Sequence, residues 1–357
     1  MKIGIYDPYL DDIGGGEKYM MTIASCLAQQ HDVSVFWDSA EVIAQIEKRF
    51  SLDLSNIKRK KNIFSKKVSF IDRLGISKQY DALIILSDGS IPFVLSNKLY
   101  IHFQQPLHIT SLSRKTKIKL SRVTSILYNS EFTKRCNQKL FRQITSTVLY
   151  PPVPLFQKNV KKENIIIHVG KYRQMGDQSQ DFKKQSVMID NFKQMVDSGL
   201  KDWEFVIATG TTNENNSSFQ KMIENTKGYP VRFLLNRSNR ELWDMYNKAK
   251  IYWHASGYGE DLKKHPEYAE HFGISTVEAM GAGCVPVVIN AGGQPEIITH
   301  EENGYLWDTL EQQRNFTLQL IHDKELLQSM STHAKRRALD FSLYKFCDLV
   351  HKLIQNI

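Results

Sequence analysis

Two glutamates in the last third of the sequence have the spacing to act on one ligand. Glu270 and Glu278 are separated by seven residues, with Gly273 between them, and a helix-compatible segment continues to Gly283. The start of a helix offers free backbone N–H groups and a partial positive charge that attract a phosphate. Carboxylates on either side can accept hydrogen bonds from sugar hydroxyls. We therefore expect a ligand site at the start of this helix.

Glu278 also has an ordinary structural explanation. Ser275 and Glu278 match the capping-box pattern, in which the glutamate accepts a hydrogen bond from the backbone N–H of the capping residue. Glu270 has no such explanation, although an exposed glutamate without a function remains an alternative for it.

Basic residues follow the apolar strand predicted at Ile165–Val169. Ligands bind at the carboxyl ends of strands in open α/β sheets, and cations there can neutralise a diphosphate. The alternative is a set of unrelated surface cations. The residues concerned are Lys171, Arg173, Lys183 and Lys184, and we consider Lys183 the strongest candidate.

A glycine cluster follows the first predicted strand. Gly14, Gly15 and Gly16 match neither a P-loop nor a dinucleotide fingerprint. Tyr19 stands where a P-loop requires Ser or Thr and where the dinucleotide fingerprint requires its third glycine. A nicotinamide-dependent oxidoreductase is thereby disfavoured but not excluded, since Asp38 lies where a ribose-binding acid would be expected. A flexible turn and a loop that approaches a phosphate or sugar both remain open.

His102 lies near the end of a short predicted strand, and its residue type and position fit a structural as well as a functional role. The chain has no Asp-x-Asp pair and no cluster of His, Cys and carboxylates at metal-ligand spacing. We expect no metal and no cofactor. The four widely separated cysteines predict reduced thiols.

The order of apolar segments predicts parallel α/β architecture used twice. Three prolines within Pro151–Pro154 mark a stiff connection between the two halves. We expect an N-terminal domain over residues 1–155, a second domain over 156–336 and a terminal helix over 337–357. The strands predicted are Ile3–Tyr6, Val33–Trp37, Ala82–Leu86, Leu99–Phe103, Ser125–Asn129, Ile165–Val169, Phe205–Ala208, Val231–Leu235, Ile251–His254 and Val285–Ile289.

The excess positive charge lies entirely in the first half. Residues 1–155 hold 22 Lys and Arg against 13 Asp and Glu, a difference of +9, whereas the remaining residues hold 25 of each. Clustered cations of this kind are either a solvated surface or a surface that meets anionic lipid headgroups. Two runs supply much of the excess. Lys58, Arg59, Lys60, Lys61, Lys66 and Lys67 form the run proposed for this contact, with Ile63 and Phe64 expected at the interface, and Arg114, Lys115, Lys117, Lys119 and Arg122 form the second run. No motif supports nucleic-acid binding, and no apolar run is long enough to span a membrane.

Taken together, these motifs resemble glycosyltransferase family 4. The resemblance is densest at Glu270–Gly283, which carries the family's pair of glutamates, and it extends to Gly292–Glu296, Asn303–Leu306 and the Gly14–Gly16 loop. It implies the GT-B fold, in which two Rossmann-like domains face each other across a cleft. The family's usual arginine after the strand glycine is Lys171 here, which leaves open whether Lys171 or Arg173 contacts the diphosphate.

The resemblance also implies roles for these residues. A retaining, metal-independent transferase would bind a nucleotide sugar mainly to the second domain, with Glu278 on the ribose and Glu270 on the sugar. Lys171 and Lys183 would lie on the departing diphosphate, and the backbone N–H groups around Phe272, Gly273, Ile274 and Ser275 would hold the sugar and phosphate. The first domain would bind the acceptor, with His102 beside the reacting carbon.

Two further segments, Tyr128–Thr133 and Val148–Val153, are similar to enzymes that add mannose to lipid-linked oligosaccharides or build cell-surface polysaccharides. The expected donor is GDP-mannose, with UDP-glucose and UDP-N-acetylglucosamine as alternatives, and the expected acceptor is lipid-linked or a polysaccharide. We expect a cytoplasmic protein attached peripherally to the membrane. A non-catalytic carbohydrate-binding relative remains an alternative.

Overall fold

The chain forms two units, the first consisting of Met1–Pro152 with Leu343–Ile357 and the second of Val153–Ser342. The coordinates are a computed structural model that describes residues 1–109, 111–155, 158, 160–175, 178–211 and 214–355. For residues 173–175 and 178–180 the backbone alone is described.

The first unit alternates strands with helices. Its strands are β1 (Lys2–Tyr6), β2 (Asp32–Phe36), β3 (Ile57–Lys60), β4 (Ala82–Leu86), β5 (Lys98–Phe103), β6 (Ser125–Tyr128) and β7 (Ser146–Val148). The helices between them are α1 (Gly15–Ala28), α2 (Ala40–Phe50), α3 (Phe70–Ser77), α4 (Arg114–Leu120) and α5 (Glu131–Asn137).

All neighbouring strands of this unit pair in parallel, in the order β3-β2-β1-β4-β5-β6-β7. The order reverses between β1 and β4, which is the switch point where such sheets bind ligands. Strands that are covered on both faces read as unbroken apolar runs, and all five residues of β4 are buried. The edge strand β3 instead carries Lys58, Arg59 and Lys60, and charge on an edge strand discourages pairing with other chains.

The second unit repeats the architecture. Its strands are β8 (Ile165–Val169), β9 (Arg173–Met175), β10 (Gln178–Gln180), β11 (Glu204–Thr209), β12 (Val231–Leu235), β13 (Ile251–His254), β14 (Val285–Ile289) and β15 (Tyr305–Trp307). Its helices are α6 (Gln185–Asp197), α7 (Ser217–Glu224), α8 (Asn239–Lys248), α9 (Ile274–Gly281), α10 (Gln294–Ile297), α11 (Leu310–His322) and α12 (Lys324–Ala338).

Six of these strands form a parallel sheet in the order β12-β11-β8-β13-β14-β15, and its switch point lies between β8 and β13. The strands β9 and β10 pair separately as an antiparallel hairpin. Buried aromatic side chains fill the core on one face, with Phe192, Phe205 and Trp253 in ring contact.

The last helix, α13 (Leu343–Gln355), belongs to the first unit. Its residues Phe346, Val350 and Ile354 are buried in the same core cluster as α1, and the Phe346 ring meets the edge of Tyr19 at 5.3 Å between centroids. Cys26 of α1 and Cys347 of α13 form a disulfide with a sulfur–sulfur distance of 2.00 Å. The expectation of four reduced thiols was therefore wrong for this pair, because helix packing brings together residues that are 321 positions apart in sequence.

Candidate functional site

The switch point of the second sheet collects the polar residues of this unit. Gly170, Lys171 and Lys183 follow β8, while His254 ends β13 and Glu270 follows it. Since β8 and β13 are parallel neighbours, the segments after them leave the same edge of the sheet. This topology explains how Lys183 and Glu270, which are 87 residues apart in sequence, come into contact.

Glu270 is held by two donors on one of its oxygens. The ammonium of Lys183 donates to Oε2 at 2.5 Å, and Nε2 of His254 lies 3.0 Å from the same atom. The side chains of Glu270 and Lys183 are 19% and 27% exposed, whereas that of His254 is 1% exposed. Among the described residues, none donates a hydrogen bond to Oε1, so one carboxylate oxygen remains available to a ligand.

The protonation states of this cluster follow from its contacts. Burial alone would raise the pKa of Glu270, but the Lys183 ammonium and the His254 hydrogen bond outweigh it and hold that pKa well below its ordinary value. Burial lowers the pKa of His254 more than Glu270 raises it. His254 is therefore neutral near pH 7 with its proton assigned to Nε2, and its Nδ1 accepts from the backbone N–H of Ser256 at 3.4 Å.

Glycines shape the turn that carries Glu270 into α9. Gly273 precedes the helix with φ +121°, a conformation that residues with a Cβ rarely adopt. The backbone N–H of Gly293 donates to the carbonyl of Glu270 at 2.8 Å. A Cβ on Gly292 would lie 2.2 Å from that same carbonyl oxygen. The backbone of Gly292 and Gly293 thus supports the turn by lying closer to the Glu270 carbonyl than a residue with a Cβ could.

Glu278 does not cap α9. The N-cap is Gly273 and has no side-chain capping bond, whereas Ser275 already lies inside the helix. The capping-box interpretation was therefore wrong, because the helix begins one residue before Ser275. Glu278 instead accepts a hydrogen bond from the hydroxyl of Tyr246 at 3.2 Å, and Ser275 lies 2.7 Å from the hydroxyl of Tyr252.

His168 is a buried residue of this region that sequence reasoning missed. It lies on β8, its Nδ1 donates to the carbonyl of Trp253 at 2.9 Å, and burial lowers its pKa to about 3. Its Nε2 is buried without a hydrogen-bond partner among the described residues. A Cβ on Gly170 would come within 2.8 Å of that nitrogen. The signal in the sequence is the pair of histidines, His168 and His254, on the two strands that flank the switch point.

The other predicted cations have different surroundings. Lys184 forms an ion pair with Glu260 and precedes α6. Lys171 is exposed after β8, and a Cβ on Gly210 would lie 3.7 Å from its side chain. The side chain of Arg173 lies outside the described residues.

The glycine cluster of the first unit opens α1. Gly14 is the N-cap, and the Glu17 carboxylate accepts from its backbone N–H at 2.5 Å. Gly16 packs against Gln104, whose amide donates to the Gly16 carbonyl at 3.1 Å. A Cβ on Gly16 would lie 2.4 Å from Gln104, so packing inside this unit already accounts for a glycine at that position.

His102 is fully buried in the first unit. Its Nδ1 donates to the carbonyl of Leu127 at 3.1 Å, and its ring stacks on Tyr19 at 4.6 Å between centroids. Burial lowers its pKa to about 3. Its Nε2 has no hydrogen-bond partner among the described residues.

The basic run of the first unit is partly engaged within the fold. Lys58 pairs with Asp32 at 2.8 Å, and the Arg59 guanidinium donates to the carbonyl of Asp38 at 2.8 Å. The prediction that Ile63 and Phe64 lie at an interface is wrong. Ile63 is buried in the core, and Phe64 stacks on Tyr6 with 4.2 Å between ring centroids. Lys60, Lys61, Lys66 and Lys67 are exposed.

The family model described as "Glycosyl transferases group 1" matches residues 155–337, slightly more than half of the chain. The chain belongs to this glycosyltransferase family. The match covers Lys171, Lys183, Glu270, Glu278 and the strands that place them.

Curated relatives of this glycosyltransferase are distant. It is 22% identical over 224 residues to a GDP-Man:Man(3)GlcNAc(2)-PP-Dol alpha-1,2-mannosyltransferase of Dictyostelium discoideum, covering 59% of this chain and 42% of the relative. It is 22% identical over 267 residues to the alpha-1,3/1,6-mannosyltransferase ALG2 of the same organism, covering 65% of this chain and 61% of the relative. The chain thus spans less than two thirds of either relative's length.

Solved structures share the fold along the whole chain. Anabaena Alr3699/HepE in complex with UDP has a TM-score of 0.71 at 16% identity, with 100% of both chains covered. A glycosyltransferase from Rickettsia africae has a TM-score of 0.72 at 15% identity, covering 100% of this chain and 99% of the other. With its two parallel sheets of seven and six strands, the glycosyltransferase has the predicted GT-B fold.

Within the described ranges, no helix of the glycosyltransferase combines the length and apolar character needed to cross a bilayer. In the same part of the chain, no three His, Cys, Asp or Glu side chains converge as a metal site requires.

The buried, neutral His102 should make the first unit sensitive to acid. Histidine in an unfolded chain titrates near pH 6.5, whereas the pKa of folded His102 is about 3. Between pH 6.5 and 5 the unfolded chain therefore binds a proton that the folded unit does not, which lowers the free energy of unfolding by about 2 kcal/mol. Hydrogen exchange of β5 and β6, corrected for intrinsic rates, should show this loss. The loss of unfolding free energy between pH 6.5 and 5 should be much smaller in His102→Gln. A wild-type pH dependence in that variant would contradict the assignment of the loss to His102.

Proposed function

We propose that this glycosyltransferase is a retaining, metal-independent member of family 4. It transfers a hexose from a nucleotide sugar to a lipid-linked or polysaccharide acceptor. The observation that carries the proposal is the Glu270 carboxylate, oriented by Lys183 and His254 through Oε2 while Oε1 stays open. A carboxylate held this way can accept a hydrogen bond from a hydroxyl of the donor sugar without changing its own orientation.

Electrostatics support placing the donor diphosphate beside this cluster. An ammonium has three N–H donors, so Lys183 can keep its bond to Glu270 and still donate to a phosphate oxygen. The first N–H groups of α9, at Gly273, Ile274 and Ser275, add the partial positive charge of a helix start. Fixed donors aimed at the departing diphosphate stabilise the charge that develops there in the transition state.

The remaining roles follow the same arrangement. Glu278 binds the ribose hydroxyls, and the backbone N–H of Phe272, on the turn before α9, contacts the donor. Lys171 or Arg173 provides a second cation for the diphosphate. The first unit binds the acceptor, with Gly15 and Gly16 as further candidates for donor contact and His102 as its candidate catalytic group. The neutral His102, with an unprotonated Nε2, can accept a hydrogen bond but does not supply a positive charge.

GDP-mannose is the favoured donor, because both curated relatives named above are mannosyltransferases and the name of one of them specifies GDP-Man. UDP-glucose and UDP-N-acetylglucosamine are the alternatives. A lipid-linked acceptor accounts for the excess of positive charge in residues 1–155, since anionic headgroups attract clustered cations. We place the enzyme at the cytoplasmic face of a membrane, attached peripherally.

A donor panel tests the proposal. GDP-mannose, UDP-glucose and UDP-N-acetylglucosamine should be compared by thermal shift, because a ligand that binds only the folded state raises its stability with concentration. We expect the largest shift with GDP-mannose. A larger shift with a UDP-sugar would change the donor, and no shift with any nucleotide sugar would contradict the proposal.

Glu270→Gln should lower the rate of transfer strongly and leave the fold intact. The change keeps the size of the side chain but removes the charge that orients Lys183, so we expect turnover to fall by about 100-fold or more. A matched control is Glu204→Gln, which removes the charge of another ion-paired glutamate, the partner of Arg232 at the opposite end of the strands. Nucleoside diphosphate release should be measured for both variants, with circular dichroism to check folding. Wild-type turnover in folded Glu270→Gln would refute the assigned role.

A further inference from the structure

Two short helices of the first unit expose large apolar side chains. Ile71 of α3 is 79% exposed, Phe70 beside it is 55% exposed, and Ile118 of α4 is 64% exposed. Each helix also packs its other side against one hydrophobic cluster of the first unit, through Ile76 in α3 and Leu120 in α4. These exposed residues therefore lie on the outward sides of helices whose inward sides are already packed.

The connection between β4 and β5 joins α3 and α4 into one surface. The backbone N–H of Leu95 donates a hydrogen bond to Oγ of Ser77, the last residue of α3, at 3.0 Å. The next residue, Ser96, accepts a hydrogen bond on its carbonyl from Arg122, just after α4, at 3.0 Å. On the α3 side, Phe93 lies 6.3 Å from Phe70 between ring centroids. The two helices thus flank the same segment.

The charges around these apolar residues are almost all positive. Residues 111–123 contain five Lys or Arg and no acid, and residues 66–78 contain four Lys or Arg and one acid, Asp72. Arg114 and Ile118 are spaced four residues apart within α4, so the cation and the isoleucine lie on one side of this helix. We call the exposed set Lys66, Lys67, Phe70, Ile71, Arg114, Lys115, Lys117 and Ile118 the α3–α4 surface.

We infer that the α3–α4 surface docks the enzyme on an anionic lipid bilayer. Cations at the headgroups and apolar side chains inserted at the acyl boundary are the two contacts that an interfacial helix makes. The β3 end of the basic run, Lys58 to Lys61, is less suited to this role. Lys58 and Arg59 have partners within the unit, and the neighbouring apolar side chains of Ile63 and Phe64 are not exposed. Nucleic acid would match the cations but not the exposed Phe70, Ile71 and Ile118.

The biological role of this surface rests on the proposed lipid-linked acceptor, but binding to a bilayer does not. Vesicle binding is therefore measured without donor or acceptor. The full chain should be sedimented with vesicles of phosphatidylcholine alone and with vesicles containing one third phosphatidylglycerol. We expect binding to the anionic vesicles only. Binding to neither kind of vesicle, or tighter binding to a nucleic acid of equal charge, would overturn the inference.

Two variants separate the contributions. Ile71→Ser with Ile118→Ser removes the apolar contacts, and Arg114→Gln, Lys115→Gln and Lys117→Gln together remove three cations. Each set should lower partitioning onto anionic vesicles by about tenfold or more, since a single cation near such a surface contributes about fivefold. The control for the apolar set is Tyr344→Ser with Leu349→Ser, because these residues of α13 are also exposed in the same unit. It should bind like the wild type.

A third set, Lys58→Gln with Arg59→Gln and Lys60→Gln, tests the β3 run. A large loss in this set, with none in the α3–α4 variants, would move the docking surface to β3 and overturn the inference. Thermal shift with the preferred nucleotide sugar should be unchanged in all of these variants. A protein that binds vesicles but no donor would leave the docking surface standing while contradicting the proposed function.

Discussion

The arrangement of the candidate site in the second unit depends on a largely buried negative charge at Glu270. Removing a carboxylate from water costs several kcal/mol unless donors replace the lost hydration. Here the replacement comes from Lys183, after β8, and His254, at the end of β13. The charge is therefore tolerated only because the parallel sheet brings the ends of these two strands side by side.

The glycines around the site serve the same constraint. Glu270 lies on a turn whose backbone is supported by Gly293, and α9 begins directly after Gly273 with its N–H groups facing away from the helix. The close approach at Gly292, where a Cβ would be 2.2 Å from the Glu270 carbonyl, leaves no room for another residue. A rigid turn, a fixed carboxylate and a helix start thus form a preorganised set of donors and acceptors.

The sequence predicted the sheets better than it predicted the contacts. The strands Ala82–Leu86, Ile165–Val169, Ile251–His254 and Val285–Ile289 were predicted with the observed bounds, because buried parallel strands are nearly continuous apolar runs. The edge strand Val231–Leu235 was also predicted with its observed bounds, although it is only partly buried. The strand β3 was missed because its cationic residues read as a surface loop. The Cys26–Cys347 bond and the Lys183–Glu270 pair were not predictable as contacts, since both depend on which elements pack together. The start of α9 was misplaced because Ser275 and Glu278 imitate a capping box.

The central claim is that the Lys183–Glu270–His254 cluster and the start of α9 form the donor site. A crystal structure of the enzyme with bound GDP tests it most directly. We predict diphosphate oxygens within hydrogen-bond distance of Lys183 Nζ and of the first N–H groups of α9, with the ribose on Glu278. A diphosphate bound elsewhere, with these residues contacting no part of the nucleotide, would contradict the account.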